Sequence, residues 1–155
     1  MKITAWRIVK AQHKNSAFDG EGALTAGGRW NKIGIPMIYT ADSLALAALE
    51  TIVHLPKQEL LKKIFFRIPV SFDTGFVIPL NPTDLPEDWD SFPPPQSTQN
   101  IGSRWALKKK SVVLKVPSTV IKEEFNYLIN PAHPGFQELS IGIPSKFAFD
   151  IRITA

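Results

Sequence analysis

The sequence predicts an α+β fold in one domain spanning residues 1–155. Three observations carry that reading. Segments with strand character, short apolar runs or two-residue alternation, outnumber segments with helical period. Strands and helices do not alternate along the chain, as a doubly wound parallel sheet would require. Thirteen prolines in 155 residues exclude long helices and long central strands, because Pro lacks the amide donor and clashes with the preceding turn. The elements must then be short and their connections ordered. A chain of this length buries roughly two-thirds of its unfolded surface, and 44% hydrophobic with 21% charged residues is ordinary for a globular protein.

In chain order, residues 3–9 read as a strand with Trp6 and Ile8 on one face and Arg7 on the other. Residues 10–32, rich in Gly, Ala and Asn, read as a long loop, and a loop of that length in a compact domain is often functional. A short strand follows at 36–40. Asp42 is the expected N-cap of a helix reaching about Leu55, where Pro56 stops it. Strands are expected at 64–70 and 75–80, then a loop over 81–95 that ends in Pro93-Pro94-Pro95. Residues 96–109 have helical period, with Ile101, Trp105 and Leu107 facing inward. Residues 111–116 and 126–129 read as strands, and 147–153 as a closing strand. No internal repeat or low-complexity tract is present.

Charge and composition exclude several classes. No apolar run is long enough for a transmembrane helix, and the first residues, Met1-Lys2-Ile3-Thr4-Ala5-Trp6-Arg7, lack a signal-peptide core. The absence of cysteine excludes disulfides and thiolate metal sites and fits a cytoplasmic protein. Three histidines without a His-x-x-x-His spacing argue against a metal centre. The net charge of +4 suits an anionic small molecule or an acidic partner as well as nucleic acid. The positive residues are scattered, however, and the single run, Lys108-Lys109-Lys110, has the form of a solvated helix end.

Against this background a few polar residues stand out. Arg29 follows two glycines in Gly27-Gly28-Arg29-Trp30-Asn31, and its planar guanidinium matches a pyrophosphate. Tyr39 ends a short strand and could stack a flat ring. Glu50 is the one carboxylate in the apolar run 44–53 and shares a helix face with Leu46, Ala47 and His54. In a cleft it would stabilise a sugar cation; the competing reading is a solvent stripe of Ser43, Ala47, Glu50 and His54. Ser118 follows Val116-Pro117 and lacks a Gly-x-Ser-x-Gly elbow, so it reads as a hydrogen-bond donor to phosphate or ribose, not a nucleophile. Asn126, Asn130 and His133 lie in a polar, proline-rich segment where a turn-forming role is the default. Neither a Walker loop nor a Gly-x-Gly-x-x-Gly turn occurs.

The order of these signals is more specific than any one of them. Trp6-Arg7-Ile8, Gly28-Arg29-Trp30-Asn31, Tyr39, Ala48-Leu49-Glu50, Val116-Pro117-Ser118 and Asn126-Tyr127-Leu128-Ile129-Asn130-Pro131-Ala132-His133-Pro134 together resemble the RES-domain family, named for its arginine, glutamate and serine. The resemblance runs from about Trp6 to Phe149 and is weakest between Lys57 and Ser103. It implies a toxin of a bacterial toxin–antitoxin module, with a mixed β-sheet fold like the ADP-ribosyltransferases and NAD as the substrate. The implied activity is phosphorolysis or hydrolysis of the nicotinamide–ribose bond, with no metal. Arg29, Tyr39, Glu50 and Ser118 match the family's catalytic positions, and Arg29, Tyr39, Ser118 and Asn126 are the implied NAD contacts. The implied partners are a cognate Xre-like antitoxin, NAD and inorganic phosphate, with DNA reached only through the antitoxin and no membrane.

Two other functions compete. One is a mono-ADP-ribosyltransferase that modifies a cellular protein. The other, less supported, is a non-catalytic module binding nucleic acid or protein; the scattered basic residues and the set Arg29, Tyr39, Glu50 argue against it.

Overall fold

A computed structural model of the protein describes residues 1–154. It has the expected α+β class. Eight strands form one sheet: β1 (Lys2–Lys10), β2 (Ile38–Ala41), β3 (Phe65–Asp73), β4 (Val77–Pro79), β5 (Val113–Pro117), β6 (Phe125–Ile129), β7 (Ser140–Ile141) and β8 (Ser145–Phe147). Their order is β4-β5-β6-β2-β1-β3-β7, with β8 also on β3. The sheet is mixed because β4 and β5 run parallel while the other pairs are antiparallel. Four helices accompany it: α1 (Glu21–Ala26), α2 (Leu44–His54), α3 (Lys57–Lys62) and α4 (Gln96–Lys108).

Alternation along the strands builds a core on both faces of the sheet. Tyr127 and Ile129 of β6 join Ala5, Ile38, Val70, Phe72 and Val113 in one cluster. Leu128, between them, joins Trp30, Met37, Trp105, Leu114 and Val116 in another. Pro69 is tolerated inside the long strand β3 by its position. Its carbonyl accepts from Gly142 N at the β7 edge, and its donorless nitrogen faces the same way, between the pairings of residues 65–67 with β8 and 70–71 with β7.

Helix α2 lies across β1 and β2. Leu46 and Ala47 are buried against Ala41, Trp6 and Ile8, which places Trp6 and Ile8 on the shared face that alternation requires. Its cap corrects the sequence reading: Ser43, not Asp42, is the N-cap, and Ser43 Oγ accepts from Leu46 N at 3.0 Å. Asp42 still belongs to the chain leaving β2, where its amide bonds Phe125 O, so its side chain sits one residue too early to reach the first free amides of the helix.

Other differences have local causes. The expected loop over 10–32 contains a 3₁₀ turn (Ala11–His13) and α1; six residues between Gly20 and Gly27 are too few to show an apolar period. Leu107 is exposed at 68%, while Trp105 and Ala106 face inward. The expected strand 75–80 is shortened to Val77–Pro79, because residues 74–76 form a 3₁₀ turn started by Asp73 Oδ1 accepting from Gly75 N. The expected closing strand over 147–153 stops at Phe147. Phe149 leaves the sheet to pack edge-on to Phe65 and Phe147, at centroid distances of 5.1 and 5.0 Å. Asp150 then accepts from Arg152 N and Nε, which starts a 3₁₀ turn in place of a ladder. Among the described residues no helix is long and apolar enough to cross a membrane.

Candidate active site

A cleft of about 620 Å³ opens where α2 meets the strand ends and the loops around Arg29 and Phe92. Ala47, Glu50, Thr51 and His54 of α2 all line it. These are positions i, i+3, i+4 and i+7, one complete helix face. Of the stripe Ser43, Ala47, Glu50 and His54 that could have been solvated, all but Ser43 therefore line the cleft, with Ala47 buried and Glu50 half-buried.

Glu50 is held from two strand ends. Ser118 Oγ donates to its Oε2 at 2.8 Å, and Asn126 Nδ2 donates to its Oε1 at 2.9 Å. Asn126 is itself oriented by a second bond, from Nδ2 to Thr40 O at 3.2 Å. Ser118 is fixed by accepting from Val120 N and Ile121 N at 3.1 and 3.3 Å. Burial pushes the Glu50 pKa above the ordinary carboxylate value. The two hydrogen bonds pull it down, and the charge of Glu124 raises it further. The result is a desolvated but oriented carboxylate, aimed into the cleft by residues from 68 and 76 positions further along the chain.

The part of the cleft wall around Arg29 is built from loops. Arg29 Nη1 donates to the carbonyls of Trp89 and Ser91 at 2.9 and 2.8 Å. Burial lowers its pKa, and the charge of Asp90 partly offsets that. Its loop is pinned by α4: Gln99 Nε2 donates to Gly28 O, and Ser103 Oγ accepts from Lys32 N. Two glycines permit this closeness. A Cβ on Gly28 would lie 2.6 Å from the Tyr39 hydroxyl, and one on Gly102 would lie 1.8 Å from Trp30 O. Tyr39 lines the cleft, with its hydroxyl accepting from Trp30 N at 2.9 Å and donating to Asn31 Oδ1 at 2.6 Å. Burial raises its pKa far above the ordinary phenol value, so it stays neutral.

The structure thus brings Glu50, Ser118 and Asn126 into contact, and places Arg29 and Tyr39 on the same cleft. Ser118 differs from its expected placement. It is fully buried, and its hydroxyl hydrogen points at Glu50 rather than at open space, so its geometry is that of a positioning residue. Asn130 and His133 have turn-forming bonds: Asn130 Oδ1 accepts from Ala132 N, and His133 Nδ1 accepts from Gly135 N. No cluster of three or more metal-ligating side chains occurs among the described residues.

Arg7 is the residue that sequence reasoning missed. It lines the cleft from β1 and donates from Nη1 to Tyr39 O at 3.0 Å. Its Nε is buried with no partner among the described residues. Burial lowers its pKa, and Asp19 partly offsets that. Beyond Arg7 the cleft continues into a second hollow of about 530 Å³ that reaches His13 and Asp19. The available signal was a lone charge inside a nine-residue strand. Arg7 alternates with Ala5 and Val9, both buried, so it leaves the strand on a covered face, and a buried cation without a charged partner is costly unless an anion arrives.

The RES domain family model matches residues 4–150. The chain belongs to the RES-domain family. It is 41% identical over 149 residues to "Toxin Res" of Yersinia enterocolitica, covering 96% of this chain and 97% of that protein. It is 37% identical over 157 residues to "Prs ADP-ribosylating toxin" of a Sphingobium species, covering 99% and 98%. Among solved structures it resembles one chain of the M. tuberculosis MbcT-MbcA toxin–antitoxin complex. The TM-score is 0.75 at 20% identity, over 96% of this chain and 85% of that one. At that identity the likeness is one of fold. In this RES-domain chain Arg29 and Glu50 line a single cleft, and the buried Ser118 holds Glu50 from behind its wall.

Proposed function

We propose that this RES-domain protein is the toxin of a toxin–antitoxin pair, and that it consumes NAD by breaking the nicotinamide–ribose bond in the cleft. The observation that carries the reading is the Glu50 carboxylate, held by Ser118 and Asn126 in a cleft that also contains two guanidinium groups, Arg7 and Arg29. Relatives named as toxins support the first half, and the toxin–antitoxin complex of similar fold supports an antitoxin partner.

The chemistry follows from the charges. As the bond from ribose C1′ to nicotinamide N1 breaks, its electron pair leaves with nicotinamide, which becomes neutral, and positive charge develops on the ribose. Glu50 is the fixed negative charge beside it, and a preoriented charge in a desolvated cleft stabilises a cation far more than one in water. Arg7 and Arg29 grip the dianionic pyrophosphate, and the unpartnered Nε of Arg7 gains the anion it lacks. Tyr39 offers a neutral ring edge to the nicotinamide. The acceptor, phosphate or water, forms the new bond to C1′ from its oxygen and loses its proton to Glu50 or solvent. The leaving group needs no metal activation.

A second reading rests on the Sphingobium relative, whose name is that of an ADP-ribosylating toxin. There the acceptor is a protein side chain, and the cation-stabilising residues are the same. Proton NMR of NAD with purified protein separates the readings. Loss of NAD only in phosphate, with a phosphorylated ADP-ribose as product, identifies a phosphorylase. Loss in phosphate-free buffer with free ADP-ribose identifies a hydrolase. Stable NAD in both, with label from adenine-labelled NAD becoming bound to protein in a cell extract, identifies the transferase. Stable NAD with no labelled protein rejects NAD consumption.

A further inference from the structure

Phe92 is the one exposed phenylalanine of ten, at 85% exposure, and it lines the cleft. An isolated apolar side chain on a surface needs no explanation. This one is different because the backbone beside it is fastened at alternate residues to both walls. The carbonyls of Trp89 and Ser91 accept from Arg29, on the loop that precedes β2. Between them Asp90 pairs with Lys122, on the turn joining β5 and β6, at 2.7 Å. Asp88 accepts from Ser97 Oγ at 2.5 Å, and Trp89 packs on the Trp30–Trp105 cluster. Pro93, Pro94 and Pro95 follow directly and lead into α4. Residues 88–95 therefore form a fastened strap across the cleft mouth that holds an aromatic ring out in water.

We propose that Phe92 is a substrate-contacting residue, a stacking platform for the adenine base of the dinucleotide. The proposal rests on the reading of the cleft as an NAD site. Glu50 and Arg29 are anchored to different parts of the cleft wall: Glu50 to Ser118 and Asn126, Arg29 to the carbonyls of Trp89 and Ser91. With the reacting ribose at Glu50 and the pyrophosphate at Arg29, the second nucleoside extends past the guanidinium. Phe92 is the residue next to Ser91, which that guanidinium holds. Purine faces stack on aromatic rings without regard to hydrogen-bond pattern. A ring already held by a fastened backbone loses little freedom when it does so.

The test is equilibrium binding in the full chain carrying Glu50→Gln, so that turnover is slow during the titration. Titration calorimetry compares that chain with the same chain carrying Phe92→Ala or Phe92→Trp. NAD, ADP-ribose (adenine kept) and nicotinamide mononucleotide (adenine absent) are the probes. Phe92→Ala should weaken NAD and ADP-ribose on the order of tenfold, leave the mononucleotide unchanged, and be rescued by Phe92→Trp. An exposed side chain carries no folding load, so the melting temperature should not move. Unchanged NAD affinity in Phe92→Ala overturns the platform and leaves the NAD site standing. An equal loss for the mononucleotide overturns the adenine assignment. A parent chain that binds none of the three overturns the NAD reading and the platform with it.

Discussion

The two ends of the cleft are built by different means. Glu50 sits on α2, the longer of the two helices beside it, and is gripped from the ends of β5 and β6, which pair through five residues. Arg29 sits on a loop whose partners, the carbonyls of Trp89 and Ser91, are on another loop. Regular elements hold one group to a fixed direction, as the stabilisation of a localised cation requires. Loops suit the other, because a pyrophosphate is gripped by charge. The carboxylate end is expected to control the rate, and the guanidinium end the affinity.

Two substitutions should break that division if it is wrong. Glu50→Gln should slow NAD loss by about 10²- to 10³-fold with little change in KM, since the lost interaction exists mainly in the transition state. Arg29→Ala should raise KM roughly 10- to 100-fold with a smaller change in kcat, since a charge-assisted grip acts on ground and transition states alike. Steady-state kinetics that invert the pattern, with kcat lost in Arg29→Ala and KM raised in Glu50→Gln, would dissolve the comparison. Glu50→Gln carries a second signature. The folded-state pKa of Glu50 is raised, so protonation favours the fold and that contribution is lost as pH rises through the folded pKa. The variant should match the parent in melting temperature below the unfolded pKa and exceed it above the folded one.

The loop end depends on one tight contact. Gly102→Ala would place a methyl 1.8 Å from the carbonyl of Trp30, which neither backbone can avoid without α4 moving off the Arg29 loop. Destabilisation of about 3 kcal/mol is expected, a fall in melting temperature of roughly 10 °C for a chain of this size. A shift of a degree or less would show that α4 does not set the position of that loop.

The same division governs how much could be read from the sequence. The residues around Glu50 were legible because helix period and strand ends mark them: Glu50 in an apolar run, Ser118 after Val116-Pro117, Asn126 at the start of a strand. Their mutual contact was not legible. Nothing in residues separated by 68 and 76 positions says that a serine hydroxyl will spend its hydrogen on a carboxylate. At the other end Arg29 was legible from its glycines, but the strap was only an acidic, proline-rich loop, since backbone carbonyls as partners leave no trace in residue type. Arg7 escaped because a lone charge in a strand reads as its solvent face. Only the burial of Ala5 and Val9, which share its face, makes it an inward one. The fold class was readable from strand and helix periods, whereas α1, six residues long, and the local cap at Asp150 lie below the length at which period is defined.

Asn126 sharpens the comparison within the carboxylate end. Its Nδ2 bond favours the ionised form of Glu50, so Asn126→Ala should raise the Glu50 pKa further from an already raised value. If ionised Glu50 is the working form, the acidic limb of kcat against pH should move to higher pH than in the parent, and activity at high pH should recover most of its value. A limb that stays in place would mean that Glu50 does not set it.

The smallest effect expected concerns the helix that carries Glu50. Ser43 Oγ satisfies the amide of Leu46, one of the four donors that a helix start leaves free. Ser43→Ala should therefore cost about 1 kcal/mol, a few degrees in melting temperature. Ser43, not Asp42, caps these amides, so Asp42→Ala should leave the melting temperature nearly unchanged. Because Glu50 lies two turns further along and is gripped by Ser118 and Asn126, neither change should alter kcat by more than about twofold at a temperature well below melting. A larger loss of kcat in Ser43→Ala would mean that the direction of the carboxylate is set by the start of α2, and that the two strand-borne donors follow it rather than fix it.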